Sequence, residues 1–169
     1  MPRHTAFIEA LATGAAGGTR RPRKTGRVGS TTAERTALLQ GVPLFQALSR
    51  RHMRRIAEVC TDARFRPGTT IVQEGAPGDT FFTIVEGEAD VRRGTRRVAQ
   101  MGPGDFFGEI ALLDGGPRTA SIVARTLVVA IRLNRTGFAR MLKADPGIGV
   151  KILEEVARRI RERQKPLTG

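Results

Sequence analysis

Apolar positions change period twice along the chain. Thr31-x-x-Glu34 reads as a capping box ahead of Leu38-Leu39, Gly41 ends that helix, and Pro43 opens the next segment. Arg50–Cys60 sets Met53, Ile56, Ala57 and Cys60 at helical spacing, with Arg50, Arg51, Arg54 and Arg55 on the other face. The first ordered part therefore reads as two or three short helices. From Asp62 to Leu133 the segments shorten: Phe65, Thr70–Val72, Phe81–Val85, Ala89–Val91, Val98–Met101, Ser121–Ala124 and Leu127–Leu133 read as strands. Pro67-Gly68, Gly75–Gly78, Glu86-Gly87, Arg93-Gly94 and Gly102–Gly104 separate them as turns. After Leu133 the helical period returns. Gly137–Lys143 holds Phe138, Met141 and Leu142 on one side, and Pro146 breaks the chain. Val150–Arg161 then places Val150, Leu153, Val156, Ala157 and Ile160 on one stripe, with Lys151, Glu154, Glu155, Arg158, Arg159 and Arg161 outside; Pro166 ends it.

Short strands at regular spacing predict an antiparallel jelly roll or barrel. Glu109–Leu113 breaks the pattern between Gly108 and Gly115-Gly116, and reads as one helical turn inserted in the barrel. The fold class is α+β, with helices flanking the barrel at both ends. Residues 1–30 carry Arg20, Arg21, Arg23, Lys24 and Arg27 and, beyond a short helical stretch near Ala6–Ala12, bury no face. They read as a basic disordered tail, with one domain over 31–165 and a short tail at 166–169.

Composition narrows the classes. Forty per cent of the 169 residues are apolar, enough for one core. No apolar run approaches the ~18 residues of a membrane span, and Glu9 interrupts any secretory core, so a cytoplasmic location is expected. Cys60 is the only cysteine and lies in an apolar stretch, which predicts a buried, inert thiol. His4 and His52 lie far apart, which argues against a two-histidine metal site. The net charge of +13 attracts anions without specifying which, and arginine-rich composition alone accounts for much of it.

Chemistry concentrates between Gly104 and Ser121. Gly108 leads into the short helical turn, whose first N–H groups lack internal partners and face an anion favourably. Glycine there lets a ligand approach the backbone. Arg118 follows the Asp114–Pro117 turn and can reach back to the same anion, a charge-assisted contact of ~1.5–3 kcal/mol. Glu109 would repel a bare phosphate; beside a hydroxyl it serves as an acceptor. Anion site and hydroxyl reader together describe a nucleotide. A Gly-Lys-Ser/Thr phosphate loop is absent. Taken singly, Arg118 fits an ion pair with Glu109 or Asp114 equally well, and Glu109 fits a helix cap.

Phe107-Gly-Glu-Ile-Ala-Leu-Leu followed by Pro117-Arg-Thr-Ala resembles the phosphate-binding cassette of the cyclic-nucleotide-binding domain family. Glu74-Gly75-x-x-Gly78-Asp79, Phe82-x-Ile84, Gly87 and Gly102-x-Gly104-Asp105 are similar to that family's turns and strands, and Leu44-Phe45 with the following helix to its N-terminal part. The resemblance covers about residues 42–163. It implies that Arg118 binds the exocyclic phosphate oxygens and Glu109 the ribose 2′-hydroxyl. Phe107, Gly108, backbone N–H groups near Ile110 and Ala111, and that of Ala120 complete the cradle. Thr119 stands where family members differ, and both a contact to a guanine amino group and a plain strand residue fit it. The ligand implied is cAMP, with cGMP open, and no cofactor or metal besides. The last helix is implied to lie over the base and to move when ligand binds. Core or dimer packing is the plainer use of its stripe, a homodimer included.

No nucleophile–base pair is evident, so no enzyme activity is expected. The family's DNA-binding members carry a helix-turn-helix after the last helix; this sequence shows none, so sequence-specific DNA binding is not expected. Two classes remain: a cyclic-nucleotide sensor acting on an unknown effector protein, and a ligand-free interaction module whose basic surface binds an acidic partner.

Overall fold

The computed structural model describes residues 30–164. The expected helical stretch at Ala6–Ala12, the basic tail around Arg20–Arg27 and the stop at Pro166 lie outside the described residues. The first helix, α1 (Thr32–Gln40), begins with the expected capping box. The Thr31 hydroxyl accepts from the Glu34 N–H at 3.1 Å, and the Glu34 carboxylate accepts from the Thr31 N–H at 2.8 Å. A 3-10 turn at Pro43–Phe45 leads to α2 (Arg50–Val59), capped by Ser49.

The strands are β1 (Thr61–Phe65), β2 (Thr70–Val72), β3 (Thr80–Glu86), β4 (Ala89–Arg93), β5 (Arg96–Met101), β6 (Phe106–Phe107), β7 (Ser121–Ala124) and β8 (Val128–Asn134). They pair antiparallel into two four-stranded sheets, ordered β1-β8-β3-β6 and β2-β7-β4-β5. This is the α+β architecture expected, an antiparallel β roll with helices. Between β6 and β7 the chain makes the short helix α3 (Glu109–Asp114); α4 (Arg135–Ala144) and α5 (Pro146–Gln164) follow β8.

Strand alternation divides the apolar residues between two cores. On β3, Phe82 and Ile84 face the space between the sheets, where they meet Ala89, Met101, Phe107, Ile122 and Ala130. Phe81, one residue away, points to the opposite face and joins Phe45, Met53, Ile56, Ile131, Phe138 and Ile148 under the helices. A strand buried on both faces shows a continuous apolar run, which explains why Phe81–Val85 lacks alternation. Phe45 meets Phe81 edge-on with ring centroids 5.8 Å apart, locking the helical layer to the sheet. The β3–β4 turn passes so close to the chain after β7 that a Cβ on Gly87, whose φ is +89°, would lie 2.1 Å from the Leu127 carbonyl oxygen.

Pro146 breaks the chain between α4 and α5 as expected. It is the first residue of α5, where its missing N–H has no helical partner to lose. The apolar stripe of the last helix is its buried face only in part: Val156 packs against the helical core. Val150, Leu153 and Ile160 are 53%, 69% and 43% exposed, whereas Ile148 and Ile152 pack into the helical core. Glu155, expected outside, is only 5% exposed and is met by Arg158 at 2.6 Å. A helix with two apolar sides offers two faces to burial. The core takes the one that aligns with the 3-10 turn and α4, which α5 contacts.

Candidate functional site

The loop before β3 and the loop before β7 hold each other by backbone bonds. Gly75 N–H donates to the Arg118 carbonyl at 2.8 Å, Arg118 N–H to the Ala76 carbonyl at 2.8 Å, and Gly78 N–H to the Gly116 carbonyl at 3.1 Å. Pro77 bridges Pro117 in the same ladder. The glycine motif Gly75–Gly78 is thus more than a turn: it is the clamp that fixes the backbone of Arg118.

From that clamp the Arg118 side chain runs under Gly108. Its Nη2 donates to the Thr80 carbonyl at 2.7 Å. Its Nη1 is buried and meets no hydrogen-bond acceptor among the described residues. Gly108 has φ +83°, and a Cβ there would lie 2.4 Å from Nη1 and 2.5 Å from the Thr80 oxygen. Only glycine leaves room for the guanidinium. Burial pushes the Arg118 pKa below the usual arginine value, while the nearby Asp79 and Glu109 carboxylates pull it up. An arginine keeps its proton through such a shift, so the site holds a half-buried cation with an unsatisfied donor.

Glu109 opens α3 and is 9% exposed. Phe107 is buried in β6 and stacks on Phe82 with centroids 5.0 Å apart, which sets the height of Gly108 above the inter-sheet core. Ile110 and Ala111 follow Glu109 in the first turn of α3; their side chains lie outside the description. Thr119 is exposed and Ala120 half-buried on the way into β7. Asp114 does not reach Arg118; its carboxylate accepts the Gly116 N–H at 2.8 Å and shapes the turn. The structure therefore brings Gly108, Glu109 and Arg118 together. It adds Thr80 and Asp79, which a reading of the cassette alone passes over. Their signal was the Gly78-Asp79-Thr80 run beside the clamp.

The charge balance selects a ligand class. One guanidinium stands between two carboxylates, so the three side chains together carry no surplus positive charge. A bare inorganic anion gains little there. An anion that also presents hydroxyls can meet the arginine with its oxygens and offer O–H groups to the Glu109 carboxylate.

Residues 63–145 match the family model described as the cyclic nucleotide-binding domain. Among curated proteins, the cAMP-dependent protein kinase regulatory subunit of Aspergillus fumigatus is 39% identical over 132 residues, 77% of this chain and 30% of that protein. The regulatory subunit of Colletotrichum orbiculare is 42% identical over 112 residues, 65% of this chain and 29% of that protein. The chain thus spans less than a third of the length of these relatives. Among solved structures, the N-terminal domain of a transcriptional regulator from Streptomyces coelicolor A3(2) superposes with a TM-score of 0.69 at 30% identity, covering 75% of this chain and 92% of that one. The regulatory domain of Toxoplasma gondii protein kinase A with cAMP, at 23% identity and TM-score 0.60, shares the fold over 78% of this chain and 50% of that one.

Proposed function

The chain belongs to the cyclic nucleotide-binding domain family, and from that premise we propose that it is a cyclic-nucleotide sensor with no catalytic activity of its own. The observation that carries the reading is the buried Nη1 of Arg118, a charged donor without an acceptor beside a glycine with no Cβ. A buried donor left unmade costs ~1–3 kcal/mol, which an exocyclic phosphate oxygen would recover on binding. Glu109 takes the ribose 2′-hydroxyl, and the backbone around Ile110, Ala111 and Ala120 completes the cradle. The names of the curated relatives favour cAMP over cGMP, and they favour a protein kinase as one class of effector.

The signal leaves through α5. Its exposed Val150, Leu153 and Ile160 form a face that gains from being covered, by the nucleotide base, by an effector or by a second copy of the helix. The protein acts in the cytoplasm, where cyclic nucleotides are made.

Thermal unfolding with cAMP and with cGMP tests the proposal. At a concentration ~100-fold above the dissociation constant, binding adds about 2.7 kcal/mol. That should raise the melting temperature by roughly 5–10 °C, with slower amide exchange in residues 146–164. Unchanged melting in millimolar cAMP and cGMP would show that the chain is no nucleotide sensor.

A further inference from the structure

The solvent side of α2 carries Arg50, Arg51, Arg54 and Arg55 within two turns. Residues four apart on a helix stand ~5–6 Å apart at Cβ. The rows Arg50–Arg54 and Arg51–Arg55 therefore make a two-by-two array of guanidinium groups. Arg50, Arg51 and Arg54 are exposed, and none of them has a hydrogen bond or ion pair to a described residue.

This arrangement works against α2 itself. Like charges at that spacing repel. The first turn of the helix contains no acid, so Arg50 and Arg51 also face the positive end of the helix dipole. Glu58, at the far end, is the one carboxylate in the helix. A local charge pattern that disfavours its own element, and of whose four arginines only Arg55 is compensated internally, suits a surface kept for a partner.

One edge of the array already shows what it binds. Arg55 Nη1 donates to Asp145 Oδ2 at 3.0 Å, and His52 Nε2 approaches the same oxygen at 3.5 Å. Asp145 is the residue between α4 and α5, so the array grips the joint from which α5 starts. Guanidinium forks match carboxylates in shape as well as charge. The face has no aromatic side chain on which a nucleic-acid base would stack, and no apolar stripe to enter a lipid surface.

We propose that this face of α2 docks an acidic segment of a partner protein, one with carboxylates about a helical turn apart. An incoming carboxylate that draws Arg55 away from Asp145 loosens the α4–α5 joint, which links docking to the position of α5. The inference does not depend on nucleotide binding.

The test uses the full chain and a fluorescein-labelled oligo-glutamate peptide, followed by anisotropy at physiological salt. R50Q/R51Q/R54Q should weaken binding by about tenfold or more. R66Q/R96Q/R140Q removes three exposed arginines outside α2, whose side chains have no hydrogen bond or ion pair to a described residue, at the same net charge, and should change affinity less than about twofold. Both variants should melt at or above the parent, because none of the six replaced side chains makes a hydrogen bond or ion pair to a described residue. If the α2 variant melts early, R51Q and R54Q singly replace it, each expected to weaken binding about threefold. Equal losses in both triple variants would reduce the effect to net charge and overturn the proposal. So would α2-dependent binding that is stronger for oligothymidylate or phosphatidylserine vesicles than for the peptide.

Discussion

Arg118 and Gly108 occupy each other's space: the guanidinium Nη1 lies where a side chain on Gly108 would begin, 2.4 Å from the Cβ position. The glycine is required twice, by its φ of +83° and by the arginine beneath it. Gly108→Ala should therefore displace Arg118 and strain the backbone. The expected cost is ~1–3 kcal/mol of stability, with nucleotide binding lost. Gly87→Ala serves as the comparison, since it clashes with the Leu127 carbonyl far from the cassette. It should lower the melting temperature as much or more. The surviving folded fraction should still bind, which calorimetry at low temperature measures.

Glu109 has one role if it reads a hydroxyl and another if it only supports α3. Glu109→Gln should weaken cAMP binding by about tenfold, the scale of one hydrogen bond to a charged group. It should leave binding of 2′-deoxy-cAMP nearly unchanged. Equal weakening for both ligands would assign Glu109 to the helix instead.

Asp62 ties the start of α1 to β1. Burial raises its pKa, but two hydrogen bonds from Ser30 and the Arg35 guanidinium outweigh that, and the net shift is downward. A carboxyl with a lowered folded-state pKa contributes stability above its unfolded value, about 3.9. That contribution fades as pH falls through the lower folded-state value. Asp62→Asn should cost ~1–2 kcal/mol near neutral pH. The difference from the parent should vanish in strong acid, as denaturant titrations across pH will show.

Cys60 is 3% exposed at the junction of α2 and β1. Burial pushes its thiol up to about 12; the Arg35 guanidinium opposes this and Asp62 adds to it. The thiolate is the reactive form. Labelling by an aromatic disulfide should be slow in the native protein and should follow the global unfolding rate, with Arg35→Ala accelerating it.

Much of this fold was legible from residue order because local rules agreed with the final packing. The Thr31–Glu34 capping box, the turn glycines and the inserted turn at Glu109 all follow from short-range chemistry. β6 was not legible: two phenylalanines cannot display a period, and only pairing with β3 makes Phe106–Phe107 a strand. The α5 stripe misled for a related reason. Two apolar sides compete on that helix, and tertiary contact, which no local pattern encodes, gave the core Ile148 and Ile152 rather than Val150 and Leu153. At the site, the residues of the cassette could be picked out, but not the clamp between Gly75–Gly78 and Arg118. That clamp consists of backbone bonds between loops distant in sequence.

An Arg118 donor kept for a cyclic nucleotide phosphate should dominate the affinity for that ligand. Isothermal titration of the parent and Arg118→Ala with cAMP tests it most directly. The parent should bind cAMP saturably, one to one, at micromolar affinity or tighter. Arg118→Ala should weaken it roughly 10- to 150-fold, the equivalent of ~1.5–3 kcal/mol. No heat of binding from a folded parent, or equal affinity in the two proteins, would contradict the claim.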